Sequence, residues 1–210
     1  GWAGWKTYLG RPDDHTFRDL AMGLLANALH SHPEESLPVL EAHSVLIRRY
    51  WSHDEDAILI NQSNIACCLD DLGRWDEALV LKRQVFAGWV ARLGASSKQA
   101  IVCGSNVLIS LGRTGCFVEA QTFGRKLAAL AKRVLGDEHA LTLVILHGLV
   151  HARCRDPDVT RESLVDAEAT LQDIVERQRR VLGATYPDTR AAQKDLSMLR
   201  QRLASHIDAA

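Results

Sequence analysis

Apolar residues recur at three- and four-residue spacings along nearly the whole chain, with polar residues between them. That spacing places them on one face of an α-helix rather than on alternating sides of a strand. Ile58, Ile60, Ile65, Leu69 and Leu72 mark a helix ending near Gly73, and Leu79, Leu81, Val85, Trp89 and Leu93 mark the next, from about residue 76 to 94. Further helices are expected over 98–111, 118–135, 139–153, 161–182 and 186–205, and earlier ones over 16–30 and 34–51. Pro38 falls in an opening turn, where a missing amide donor is tolerated. No segment alternates like a strand, so the expected class is all-α.

A longer period organises these helices. Gly10, Ser52, Gly94 and Gly136 follow one another at steps of 42, and Gly183 follows at 47. Glu77-Ala78 returns as Glu119-Ala120 and, more weakly, precedes itself as Glu35-Ser36. Gly73 pairs with Gly115, Trp75 with Phe117 and Asn64 with Asn106, while Thr16, Thr142 and Thr189 share another phase. The long step places a five-residue insertion before Ala167, expected in the turn around Pro157. A period of this length denotes helical hairpins that become stable by stacking on neighbours. The chain therefore reads as one solenoid over 1–210, in units of about 1–9 (partial), 10–51, 52–93, 94–135, 136–182 and a terminal helix over 183–210. Ala78 and Ala120 would permit close helix approach, and Trp75 and Phe117 would fill the core beside each turn.

Composition narrows the function classes. With 47% hydrophobic and 24% charged residues in 210, the chain can build a core and a solvated surface. A formal net charge of −1 provides no general attraction to nucleic acid or anionic lipid. No apolar run reaches the length of a membrane-spanning helix, so membrane insertion is not expected. Cys67, Cys68, Cys103, Cys116 and Cys154 are odd in number and lack CxxC spacing. They read as free thiols, which favours the cytoplasm or another reducing intracellular compartment. The opening Gly1-Trp2-Ala3-Gly4-Trp5 has no methionine and no signal-peptide pattern, consistent with a fragment or a processed product.

Asn64-Ile65-Ala66 followed by Gly73-Arg74-Trp75-Asp76-Glu77-Ala78 resembles the tetratricopeptide repeat (TPR), in the 42-residue variety of kinesin light chains. Leu135-Gly136-Asp137-Glu138-His139-Ala140-Leu141-Thr142 and Leu182-Gly183-Ala184-Thr185-Tyr186-Pro187-Asp188-Thr189 resemble that family's turn between repeats. Met22 and Gly148 stand where the family asparagine would be, so only the two central units keep it. The resemblance implies an α-α superhelix, a TPR-like solenoid of stacked antiparallel helix pairs whose first helices line a concave surface. It also implies a peptide- or protein-binding role there for Asn64 and Asn106, with Ser63 and Ser105 beside them; a carboxamide both donates and accepts, which suits recognition of a peptide backbone.

His147 and His151 are four residues apart and share one helix face. The spacing could serve zinc, but the glutamate of an HExxH site is absent and no third ligand is placed, so they are assigned to the concave face and no metal is expected. Arg49, Arg133 and Arg180, with Arg48, Lys132 and Arg179, fall near the ends of second helices, where cations complement the helix dipole. Asp13-Asp14 and Asp70-Asp71 suit helix caps at turns. No nucleophile elbow, phosphate loop or paired catalytic carboxylates appear, and neither an enzyme nor a cofactor is expected. Two functions remain: a scaffold binding a peptide or protein on its concave face, or a structural subunit of a larger assembly that contacts neighbours through its convex face, its edges and Trp2, Trp5 or Trp51.

Overall fold

The computed structural model describes residues 32–205 and places eight α-helices among them, with no strand in that range. They are α1 (Pro33–Tyr50), α2 (Glu55–Asp71), α3 (Trp75–Leu93), α4 (Lys98–Arg113), α5 (Phe117–Leu135), α6 (Ala140–Arg155), α7 (Arg161–Leu182) and α8 (Pro187–Ser205). The expected helix at 16–30, Gly10, Thr16, Met22, Asp13-Asp14, Trp2 and Trp5 lie outside the described residues. The chain divides into two compact bodies, Gly1–Gly88 and Trp89–Ala210.

The helix ends follow from local chemistry. Asp54 accepts from the Ala57 amide at 2.9 Å, Ser97 from Ala100 at 3.2 Å and Thr160 from Ser163 at 3.2 Å, each capping a helix start. At the other ends, Gly94, Gly136 and Gly183 have φ of 81°, 96° and 95°, a backbone conformation that side chains oppose. These three glycines of the repeat ladder therefore mark real chain reversals.

In the first body, α1 packs on α2. Leu37, Leu40, Cys68, Leu69 and Ala78 form one cluster, and Ile47, Trp51 and Ala57 another. A buried polar network joins the two helices: Asn61 Nδ2 donates to Leu40 O at 3.2 Å and Ser44 Oγ at 2.6 Å, while Asn61 Oδ1 meets His43 Nδ1 at 2.9 Å. Lys82 and Asp70 form an ion pair with both side chains nearly out of solvent.

In the second body, α4 packs on α5, α6 on α7, and α8 on α7; α6 also touches α4, α5 and α8. A helix with so many neighbours must be apolar around most of its circumference, and α6 is. Val150 of α6 joins Leu164, Leu171, Ile174 and Val175 of α7 and Leu196, Leu199 and Leu203 of α8 in one core. Gly124 lets α5 approach closely: a Cβ there would lie 2.9 Å from a methyl of Leu108 and of Leu149.

Four expectations need correction. Trp75 is 48% exposed, since it stands one turn ahead of Ala78 and Leu79, where burial of α3 begins. Trp51 is only 5% exposed, packed against Ile47 and Ala57, and so is no surface contact. Asp70 lies in the last turn of α2 and pairs with Lys82 instead of capping a helix. The five-residue insertion is shared: five residues separate α6 from α7 where three separate α4 from α5, and α7 gains three residues ahead of Ala167 relative to α5 ahead of Ala120.

Candidate functional site

The most developed polar site lies in the second body, between α6 and α8. Thr142 donates to Gly136 O at 2.9 Å, and His139 Nδ1 accepts from the Leu141 amide at 3.1 Å, fixing the start of α6. His147, His151 and Arg155 then follow at steps of four, a single stripe on a mostly apolar helix. On α8, Asp195, Met198 and Arg202 sit three and four apart and face that stripe.

Asp195 links the helices. Its Oδ2 accepts from His147 Nε2 at 2.9 Å and lies 3.8 Å from His151 Nε2. Arg202 Nη1 donates to Cys154 O at 2.6 Å, a second tie between α8 and α6. Beside these contacts opens a pocket of about 520 Å³, lined by His151, Cys154, Arg155, Leu171, Asp195, Met198, Leu199 and Arg202.

Electrostatics differ from group to group. Burial lowers the pKa of His151, and the nearby cations Arg155 and Arg113 add to this, against an opposing pull from Asp195. Burial pushes Asp195 up, but the His147 hydrogen bond and the charges of His151, His147 and Lys194 outweigh it and hold the carboxyl below its usual range. Burial likewise raises the Cys154 thiol. Among the described residues, no group of three or more His, Cys, Asp or Glu could hold a metal ion.

The other expected residues are distributed differently. Ser63 and Asn64 are half-buried on α2 of the first body. On α4 of the second, Asn106 is half-buried, whereas Ser105 is 3% exposed and faces the core. Of the six, only His147 and His151 converge on a common partner. Asp195, Met198, Arg155 and Arg202 were not singled out from the sequence. The repeat itself carried the signal: Arg113 and Arg155 are 42 apart, and both Arg155–Arg202 and His151–Met198 are separated by the long step of 47.

The arginines of the second helices behave as helix-end cations. Arg48 and Arg49, Lys132 and Arg133, and Arg179 and Arg180 all occupy last turns. Arg180 also reaches back to Glu138 at 2.6 Å, and Arg177 to Glu138 at 3.0 Å and to Asp137 O at 2.6 Å, clasping the turn before α6.

This arrangement of capped helix pairs is a TPR-like repeat fold. Two crystal structures of a Podosopora anserina protein assigned as a kinesin light chain, with nearly identical TPR-like repeats, superpose with a TM-score of 0.68. The first shares 21% identity and covers 93% of this chain and 92% of its own; the second, a point variant of that protein, shares 20% and covers 93% and 95%. No protein-family model matches the chain, and no curated protein matches it. Among the described residues, no helix is long and apolar enough to cross a membrane.

Proposed function

We propose that this protein is a non-enzymatic interaction module that holds a segment of a partner protein on the face made by the first helices of its hairpins, α4, α6 and α8 in the second body. The observation that carries this reading is the open pocket between α6 and α8, where apolar Met198, Leu171 and Leu199 adjoin the polar groups of His151, Asp195, Arg155 and Arg202. Pockets of this mixed character suit side chains delivered by a peptide. The fold agrees, since stacked helix pairs present extended binding surfaces. Asn106, half-buried on α4, is a further candidate contact, and Ser63 and Asn64 are the corresponding candidates on α2.

A binder fits the site better than a catalyst. The pocket's one thiol, Cys154, is held protonated by burial, opposite to what a nucleophile needs. A net charge of −1 gives nucleic acid no support as the partner. Co-purification with mass spectrometry, using the native chain and Met198→Glu, tests the reading. Met198 is 56% exposed, so the variant should fold. Loss of the partner from the variant is expected; a partner retained in full would place binding elsewhere.

A further inference from the structure

Two polar side chains are sealed into the α7–α8 hairpin without a hydrogen-bond partner. Gln178 is fully buried, and both its amide nitrogen and its carbonyl oxygen lack a partner among the described residues. So does the hydroxyl of fully buried Thr189. Gln178 follows Ile174 by one turn of α7, and Thr189 precedes Ala192 by one turn of α8. Ile174 and Ala192 belong to one core cluster, so both polar groups lie on the helix faces that build it. The preceding hairpin is satisfied in the same register. Fully buried Ala131 stands 47 positions before Gln178, and Thr142, 47 before Thr189, donates to Gly136 O at 2.9 Å. Gly183 keeps the ladder position, yet Thr189 makes no such bond. A buried carboxamide and hydroxyl left unpaired oppose docking, because each regains water once its cover leaves.

The cover is α8. Among the described residues it packs only on α7 and α6, and its other side presents Arg190, Lys194, Ser197 and Gln201 to solvent. Ala192, Leu196, Leu199 and Leu203 hold it down. Its polar ties run from Asp195 to His147, from Arg202 to Cys154 O, and from Arg200 to Glu168 and Gln172, all bonds that water can replace. We propose that α8 is a releasable latch, which leaves α6 and α7 as one unit and dismantles the pocket to which it supplies Asp195, Met198, Leu199 and Arg202. Apolar burial keeps the docked state dominant, while Gln178 and Thr189 raise the population of the open one. The hinge is the turn over 183–186, which joins α7 to α8. The latch is independent of what the pocket holds.

Hydrogen exchange of the full chain, read by mass spectrometry with no partner added, tests it under conditions where reclosing outruns chemical exchange. Amides over 192–203 should exchange at one shared rate, at least about ten times faster than those over 167–178 of α7. Gln178→Leu, close in size but without the amide, should slow α8 exchange roughly tenfold, and Thr189→Val should slow it roughly threefold. Exchange in α4 and α5 should not change in either variant. A gradient of rates rising steadily toward Ser205 would mean fraying and overturn release as a unit. Exchange of α8 in step with α7 would show a single cooperative core and overturn it as well. Unchanged or faster α8 exchange in both variants would show that the two polar groups do not oppose docking, and the latch would fail with them.

Discussion

His147 donates Nε2–H to the Asp195 carboxylate at 2.9 Å, tying α6 to the last described helix across 48 positions of sequence. Both side chains are largely out of solvent, at 14% and 27% exposed, so the bond is shielded more than a surface ion pair. Asp195→Asn keeps the shape and loses the charge, and should lower stability at neutral pH by about 1–2 kcal/mol in urea denaturation. The folded pKa of Asp195 lies below its unfolded value, so its contribution is complete above the unfolded value and is lost as pH falls through the folded one. The native chain should therefore lose its advantage over the variant only under strongly acidic conditions. An advantage already gone near about pH 6 would contradict the assignment, since that lies well above the ordinary carboxylate range.

His151 has the opposite consequence. Its pKa is lowered by burial, so the folded state disfavours the proton that the unfolded chain binds near its ordinary value of 6.5. Stability from this residue is complete above that value and declines as pH falls from it toward the folded pKa. His151→Gln should flatten this part of the stability profile; an unchanged slope in thermal melts across that window would disprove it.

Asn61 and Asn64 separate structure from surface within one helix. Asn61 is 1% exposed and bonded to α1 through three contacts, whereas Asn64 is half-buried with no hydrogen-bond partner among the described residues. Asn61→Ala should cost about 2–3 kcal/mol by removing all three of its contacts with α1, and Asn64→Ala should stay within about 0.5 kcal/mol. Equal losses in denaturant titrations would refute the distinction.

The buried Lys82–Asp70 pair invites a double-mutant cycle. Lys82→Met removes one partner of a nearly buried ion pair and should destabilise the first body by about 3–5 kcal/mol. Combining it with Asp70→Leu should recover most of that loss, because two apolar side chains carry no desolvation penalty. Additive losses in the double variant would show that the pair is not coupled.

Trp75→Ala should lower stability by less than about 1 kcal/mol, since nearly half of the side chain is already in solvent. A loss of about 3–5 kcal/mol, typical of a buried tryptophan, would restore it to the core.

These cases show what the sequence could and could not convey. Helix positions were legible because spacing and capping are local: α7 spans Arg161–Leu182, and α4 and α5 begin within a residue of their expected starts. Trp75, Trp51 and Asp70 were misjudged because burial depends on which helix end stops beneath a side chain, and that is fixed between helices. The site was half legible. His147 and His151 were visible as a stripe, but Asp195 lies in another hairpin, and hydrophobic periodicity does not register one acid among polar neighbours. The long-step phase that joins Arg155 to Arg202 and His151 to Met198 was present in the sequence, but it is seen only when the repeat is followed through polar residues as well as glycines.

The uneven division of the insertion between turn and helix has a practical consequence. Three added residues extend α7 by about 4.5 Å at its start, where Arg161, Glu162 and Val165 are exposed and burial begins only at Leu164. The α6–α7 junction has thus absorbed extra length while Val159 in its turn still packs against the core. Its exposed Pro157 and Asp158 are the place to splice a reporter or an affinity tag into the chain, within sight of the pocket.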